Sequence, residues 1–97
     1  MLKVVRSNAS IEDLLRIWDY HARESVAAAD RIVTALNHRI AVLGSFPDMG
    51  ERQPRHGRHC RRIIEGLYVV YYDRLDDRVL VLRVLHSARR IESLWVR

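Results

Sequence analysis

With 97 residues, a formal net charge of +5 and a pI near 10.1, the chain is expected to form one domain over residues 1–97. A chain of this size buries roughly 60–65% of its unfolded surface, enough to fold alone with little reserve. Cys60 is the only cysteine, which excludes an internal disulfide, and no apolar run approaches the roughly 18 residues of a membrane span, so a cytoplasmic, non-membrane protein is expected.

Among 17 basic residues only Lys3 is a lysine. Arginine binds planar anions bidentately, so this bias points to an acidic partner, nucleic acid or protein. A GC-rich genome yields the same bias.

In chain order, LKVVR (residues 2–6) reads as a short strand. Ser10 with Asp13 three residues on resembles a capping box and predicts a helix over about 11–23. Its stripe is Ile11, Leu14, Leu15, Trp18 and Ala22, with Glu12, Asp13, Arg16 and Asp19 opposite; Trp18 is expected in the core. A second helix over about 26–43 carries Ala29, Ile32, Val33, Leu36, Ile40 and Leu43 on one side, and Gly44 and Pro47 end it. So short a link predicts an antiparallel helical hairpin.

Residues 44–59 read as a polar loop, long enough to suggest a functional or covered segment. Strands are expected over 60–64, 67–73 and 79–86, the first two joined at Glu65-Gly66. The order is β-α-α-β-β-β. This is an α+β fold, a helical hairpin packed on a small, mostly antiparallel sheet. Leu94, Trp95 and Val96 make the end of the chain too apolar for a wholly free tail.

The run over 79–86 is expected to be the central strand, with only Arg83 and His86 interrupting Val and Leu. A buried unpaired charge costs several kcal/mol, so Arg83 requires either a solvated cleft or a carboxylate, with Asp73 or Glu65 the nearest choices. Strand alternation groups Arg83 with Val79, Val81 and Leu85, and His86 with Leu80, Leu82 and Val84. The two converge only if a bulge intervenes.

RNA cleavage would need a base, cations for the phosphorane and an acid for the leaving oxygen. His86 is the candidate acid, Arg62 and Arg83 the candidate phosphate binders, and Tyr72 a group to orient a base or sugar. Each also has an ordinary role: a strand-end histidine bonded to backbone, a structural ion pair, or a sheet residue. His56, His59 and Cys60 place three donors within five residues, but no second pair completes a zinc site, and no metal or cofactor is expected. Arg52, Arg55, Arg58, Arg61 and Arg62 form a basic cluster suited equally to nucleic acid or an acidic protein, with a solvated surface the third reading.

Four segments in this order and spacing, DLLRIWDY (13–20), LGSFPDMG (43–50), RRIIEGLYVVYY (61–72) and VLVLRVLHSAR (79–89), resemble the ParE branch of the RelE/ParE superfamily, the small toxins of type II toxin–antitoxin systems. The resemblance covers nearly the whole chain. It implies a toxin that acts on DNA gyrase by binding, neutralised by a cognate antitoxin whose acidic, disordered segment folds over it and through which oligomers assemble.

The alternatives it leaves open are a RelE-type, ribosome-dependent mRNA endonuclease using His86, Arg62, Arg83 and Tyr72, or a non-toxic antitoxin-binding relative. RelE-like nucleases resemble one another in clustered lysines, which this chain lacks; that and the strand parity favour an inhibitor without chemistry. On this reading gyrase meets Arg89, Arg90, Trp95 and Arg97, and the antitoxin meets Arg52, Arg55, Arg58 and Arg61.

Overall fold

The computed structural model describes residues 1–88. Helix α1 spans Asn8–Ala22, starting earlier than the Ser10–Asp13 pattern suggests, because Ser7 is the N-cap. The Ser7 hydroxyl oxygen accepts from the Ser10 N–H at 3.0 Å, while Ser10 lies inside the first turn and donates its hydroxyl back to the Ser7 carbonyl. Helix α2 spans Val26–Val42 with Ser25 as N-cap, accepting from the Ala28 N–H at 3.1 Å. Ala29, Leu36 and Ile40 form its buried face, as the periodicity predicts.

The face of α1 differs from the expected stripe. Ser10, Asp13, Leu14 and Ile17 are buried, whereas Ile11 and Leu15 are 45% and 62% exposed. Trp18 is half-buried, not core, and its indole N–H donates to Asp30 Oδ1 on α2 at 2.8 Å. The helix has turned about its axis to bring Asp13 inward, for a reason that lies on the sheet.

Among the described residues five strands form one sheet in the order β1 (Lys3–Arg6), β5 (Arg78–His86), β4 (Tyr68–Arg74), β3 (Cys60–Glu65), β2 (Glu51–Arg52). β1 runs parallel to β5, and every other pair is antiparallel. The middle strand is therefore β4, buried from Tyr68 through Asp73, and not β5. The segment read as an unbroken polar loop contributes β2 and a 3-10 turn at Pro54–His56. β3 and β4 are joined through Gly66-Leu67, one residue later than expected. Gly66 has φ +58°, a backbone conformation open to glycine and demanded at the first position of a tight two-residue hairpin link.

The helices cover one face of the sheet, where Leu14, Ile17, Leu36, Ile40 and Leu43 pack with Ile63, Val70, Tyr72, Val79, Val81 and Val84. Each fully buried aliphatic side chain contributes about 1.5–3 kcal/mol. A smaller cluster of Cys60, Val69 and Tyr71, with Leu82 and Leu85 against it, occupies the other face. There the His56 ring from the 3-10 turn meets Tyr71 edge-on at 6.0 Å.

The link from α2 back to the sheet is held by Tyr72. Its buried hydroxyl donates to the Pro47 carbonyl at 2.8 Å and accepts from the Gly50 N–H at 2.9 Å. A Cβ on Gly50 would stand 2.5 Å from that hydroxyl and 2.8 Å from the Arg62 carbonyl oxygen, so backbone would have to move. Gly50→Ala is expected to destabilise the fold by about 1–3 kcal/mol, the range for overpacking. A denaturation midpoint equal to that of the parent would show that this approach is not a constraint.

Candidate functional site

β1 ends at Arg6 opposite Val81, and among the described residues no strand pairs with the rest of β5 on that side. Ser7 extends the pairing: its N–H donates to the Val81 carbonyl at 2.9 Å and its hydroxyl to the Leu82 carbonyl at 2.8 Å. At this point β5 bulges. Tyr72 faces Val81 and Tyr71 faces Arg83, so Leu82 is the extra residue.

Beyond the bulge Asp13 meets this edge of β5. Its Oδ2 accepts from the Val84 N–H at 2.9 Å and from Arg83 Nε at 2.8 Å, and its Oδ1 accepts from Arg83 Nη2 at 2.9 Å. Asp13 is 4% exposed, and this fork-to-carboxylate geometry is the arrangement in which a buried charge pair is satisfied. The Asp13 hydrogen bond raises the Arg83 guanidinium above its ordinary pKa against the opposing effect of burial. The carboxylate that grips the Arg83 fork is thus Asp13, from α1, and not one from the neighbouring strand. Glu65 pairs with Arg39 at 3.4 Å, and Asp73 lies opposite Cys60 and Leu80.

The bulge also corrects the expected faces of β5. Val79, Val81 and Val84 all enter the core under the helices, although Val84 is an odd number of residues from the other two. The extra residue precedes Arg83, so the alternation from Arg83 to His86 is undisturbed. His86 stands across from Tyr68 with ring centroids 5.5 Å apart, and its Nδ1 accepts from the Ala88 N–H at 3.1 Å, the strand-end role anticipated for it. His21 Nε2 lies 2.7 Å from the Tyr68 hydroxyl, whose pKa is raised by burial and by Tyr20 nearby.

Arg62 and Arg83 lie in one cross-strand row with Tyr71 between them. Their guanidinium groups nevertheless turn to different carboxylates, Arg62 to Glu51 at 3.1 Å and Arg83 to Asp13. The Tyr72 hydroxyl is buried beneath the Pro47–Gly50 backbone. His86, Arg62, Arg83 and Tyr72 are each engaged within the fold and do not share one reaction centre. Asp13, on which Arg83 depends, is not visible as a partner in the sequence: it is 70 residues away, and its only local signal is a cap-like spacing that Ser7 in fact supersedes.

The basic cluster divides as well. Arg61 donates through Nη1 to the Gly50 and Asp48 carbonyls at 2.8 and 3.1 Å, and Arg74 Nε donates to Asp48 Oδ1 at 2.9 Å. Arg52, Arg55 and Arg58 are exposed. A cleft of about 390 Å³ opens where β2, β3 and β4 meet, lined by Arg52, Arg58, His59, Arg61, Arg74 and Asp76 above the buried Cys60. Among the described residues no group of three or more His, Cys, Asp or Glu side chains is placed to hold a metal ion. Arg89, Arg90, Trp95 and Arg97 lie outside the described residues.

Two apolar surfaces stand away from this cleft. One is the outer side of α1 with Ile11 and Leu15. The other is a groove of about 260 Å³ between α2 and the β3–β4 link, where Ile32, Ala35 and Leu67 form much of the wall. No helix among the described residues is long and apolar enough to cross a membrane.

A helical hairpin on a mixed five-stranded sheet, with charged and apolar surfaces exposed among the described residues, defines a small α+β domain. The family described as the ParE toxin of type II toxin–antitoxin system, parDE, matches residues 4–91, and the chain belongs to it. Among solved structures, a chain of the chromosomal ParDE toxin–antitoxin system from P. aeruginosa superposes with a TM-score of 0.75. The match covers 89% of this chain and 96% of that one at 15% identity, a likeness of fold. No curated protein matches the sequence.

Proposed function

We propose that this chain arrests growth by binding DNA gyrase, has no chemistry of its own and is neutralised by a cognate antitoxin. The observation that carries the reading over a nuclease is the engagement of Arg83 by Asp13, Arg62 by Glu51, Tyr72 by Pro47 and Gly50, and His86 by the Ala88 backbone. A phosphate-cleaving site needs these groups directed at a common substrate.

The antitoxin reading is supported by family membership and by the surfaces. Ile11, Leu15 and the groove beside α2 suit a segment that folds as it binds, and the exposed Arg52, Arg55 and Arg58 add long-range attraction for an acidic chain. On sequence grounds the gyrase contact is assigned to Arg89, Arg90, Trp95 and Arg97, since aromatic and arginine side chains dominate binding energy at interfaces.

The purified toxin is expected to inhibit gyrase supercoiling at micromolar concentration. Trp95→Ala combined with Arg97→Ala is expected to weaken inhibition by roughly 30-fold or more, the effect of losing about 2 kcal/mol at an interface anchor. Unchanged supercoiling with the parent protein, accompanied by discrete mRNA cuts on induction, would transfer the assignment to the endonuclease reading.

A further inference from the structure

We infer that the arginine cleft between β2, β3 and β4 is a binding site for the phosphodiester backbone of nucleic acid. Four arginines, Arg52, Arg58, Arg61 and Arg74, line it together with His59, and Asp76 is the acid on its wall. Arg52 and Arg61 stand directly opposite each other in the β2–β3 ladder. Like charges in that position repel and destabilise the pairing, so a two-residue strand that places them there is favoured when an anion sits between them.

Two of the four are already positioned. Asp48 holds Arg74 through its carboxylate at 2.9 Å, and the Asp48 and Gly50 carbonyls hold Arg61. Less side-chain entropy then disappears when a ligand arrives, and the planar forks of the exposed Arg52 and Arg58 match phosphate oxygens bidentately. Arg52 and Arg58 are exposed at the mouth, where they can follow a backbone from one phosphate to the next.

The chemistry of the wall separates a phosphodiester from an acidic peptide. A peptide that folds on binding draws its affinity from apolar anchors seated in pockets. This cleft offers none: its one apolar residue, Cys60, is 1% exposed. The groove that does suit anchors is beside Glu65 to Tyr68, at the far end of β3 from Cys60 and Arg61. A phosphodiester needs only donors and positive charge, which the cleft supplies. The inference is independent of the gyrase reading.

The test is fluorescence anisotropy of a short fluorescein-labelled DNA duplex with the full chain across a salt series. The double variant R52Q/R58Q is compared with R23Q/R31Q, which removes the same charge from exposed positions on the helical hairpin. R23Q/R31Q is expected to melt with the parent and R52Q/R58Q at the same temperature or slightly above it, since Arg52 no longer repels Arg61 across the ladder. R52Q/R58Q is expected to bind the duplex about tenfold or more weakly and to flatten the slope of log K against log salt by roughly 0.9 for each phosphate that is no longer neutralised. R23Q/R31Q should leave that slope near the parent value.

Equal weakening by both variants would reduce the effect to net charge and overturn the site, as would absence of duplex binding by the parent. Poly-glutamate binding that depends on Arg52 and Arg58, with duplex binding unaffected by their removal, would overturn it in favour of an acidic peptide.

Discussion

Asp13→Ala is expected to lower the unfolding free energy by about 3–5 kcal/mol, the cost of breaking a buried, hydrogen-bonded charge pair. The carboxylate accepts from Arg83 twice and from the Val84 N–H, and it closes the part of β5 that β1 does not reach. Its removal takes two charge-assisted hydrogen bonds from a mostly buried guanidinium and opens a strand edge at once. For a domain of this size each kcal/mol moves the melting temperature by about 4–8 °C, so a fall of more than about 10 °C is expected.

Arg83→Met alone should cost less, because Asp13 keeps the Val84 N–H. The double variant, Asp13→Leu with Arg83→Met, should recover part of the stability, since apolar replacements leave no stranded charge. A double-mutant cycle in chemical denaturation, built from Asp13→Leu, Arg83→Met and their combination, measures this coupling directly. Additive single effects would mean that the pair contributes nothing as a pair. Arg83→Ala is also the variant that a nuclease reading would choose, and a fall in its activity would be uninformative without a matching stability measurement.

Tyr72→Phe is expected to cost about 2–3 kcal/mol by leaving the buried Gly50 N–H and the Pro47 carbonyl without their common partner. The same hydroxyl makes the fold sensitive to alkali. Burial raises the Tyr72 pKa from its ordinary value of 10.0 against the opposing effects of the Gly50 N–H and Arg61. A group whose pKa is higher folded than unfolded contributes its full stability below the unfolded value and loses it as pH rises towards the folded one. Stability should therefore hold up to about pH 10 and decline above it. Tyr72→Phe should flatten part of that decline, with Tyr68, shifted the same way, responsible for another part. A parent protein whose denaturation midpoint does not change above pH 10 would contradict this assignment.

The elements that were legible in the sequence are those governed by local rules. The α2 stripe of Ala29, Leu36 and Ile40, the Gly66 turn within one residue, and the apolar strands near 60, 68 and 79 all follow from periodicity and turn chemistry. The orientation of α1 was not legible. A count of apolar residues places Asp13 outward and Leu15 inward, and the fold does the reverse because an open strand edge and a buried guanidinium need an acceptor more than Leu15 needs burial. The bulge at Leu82 is equally hidden, and it redirects Val84 into the core. β2 is only two residues long, too short for any alternation to appear, and it owes its place to pairing with Arg61 and Arg62.

The candidate sites divide in the same way. The composition of the chain, sixteenfold richer in arginine than in lysine, already pointed to planar anions, and the clustering of Arg52, Arg58 and Arg61 within ten residues was visible. What only tertiary structure decided is which arginines are committed. Arg62 and Arg83 are drawn to carboxylates of neighbouring elements, Arg61 is fixed at a cleft by backbone carbonyls, and Arg74 joins it from another strand. Helix periods, turns and net charge act between near neighbours or over the whole molecule, so the sequence alone determines them. Partner choice for a buried charge depends on which groups the packed chain brings within hydrogen-bond reach, and for Arg83 that group is 70 residues away.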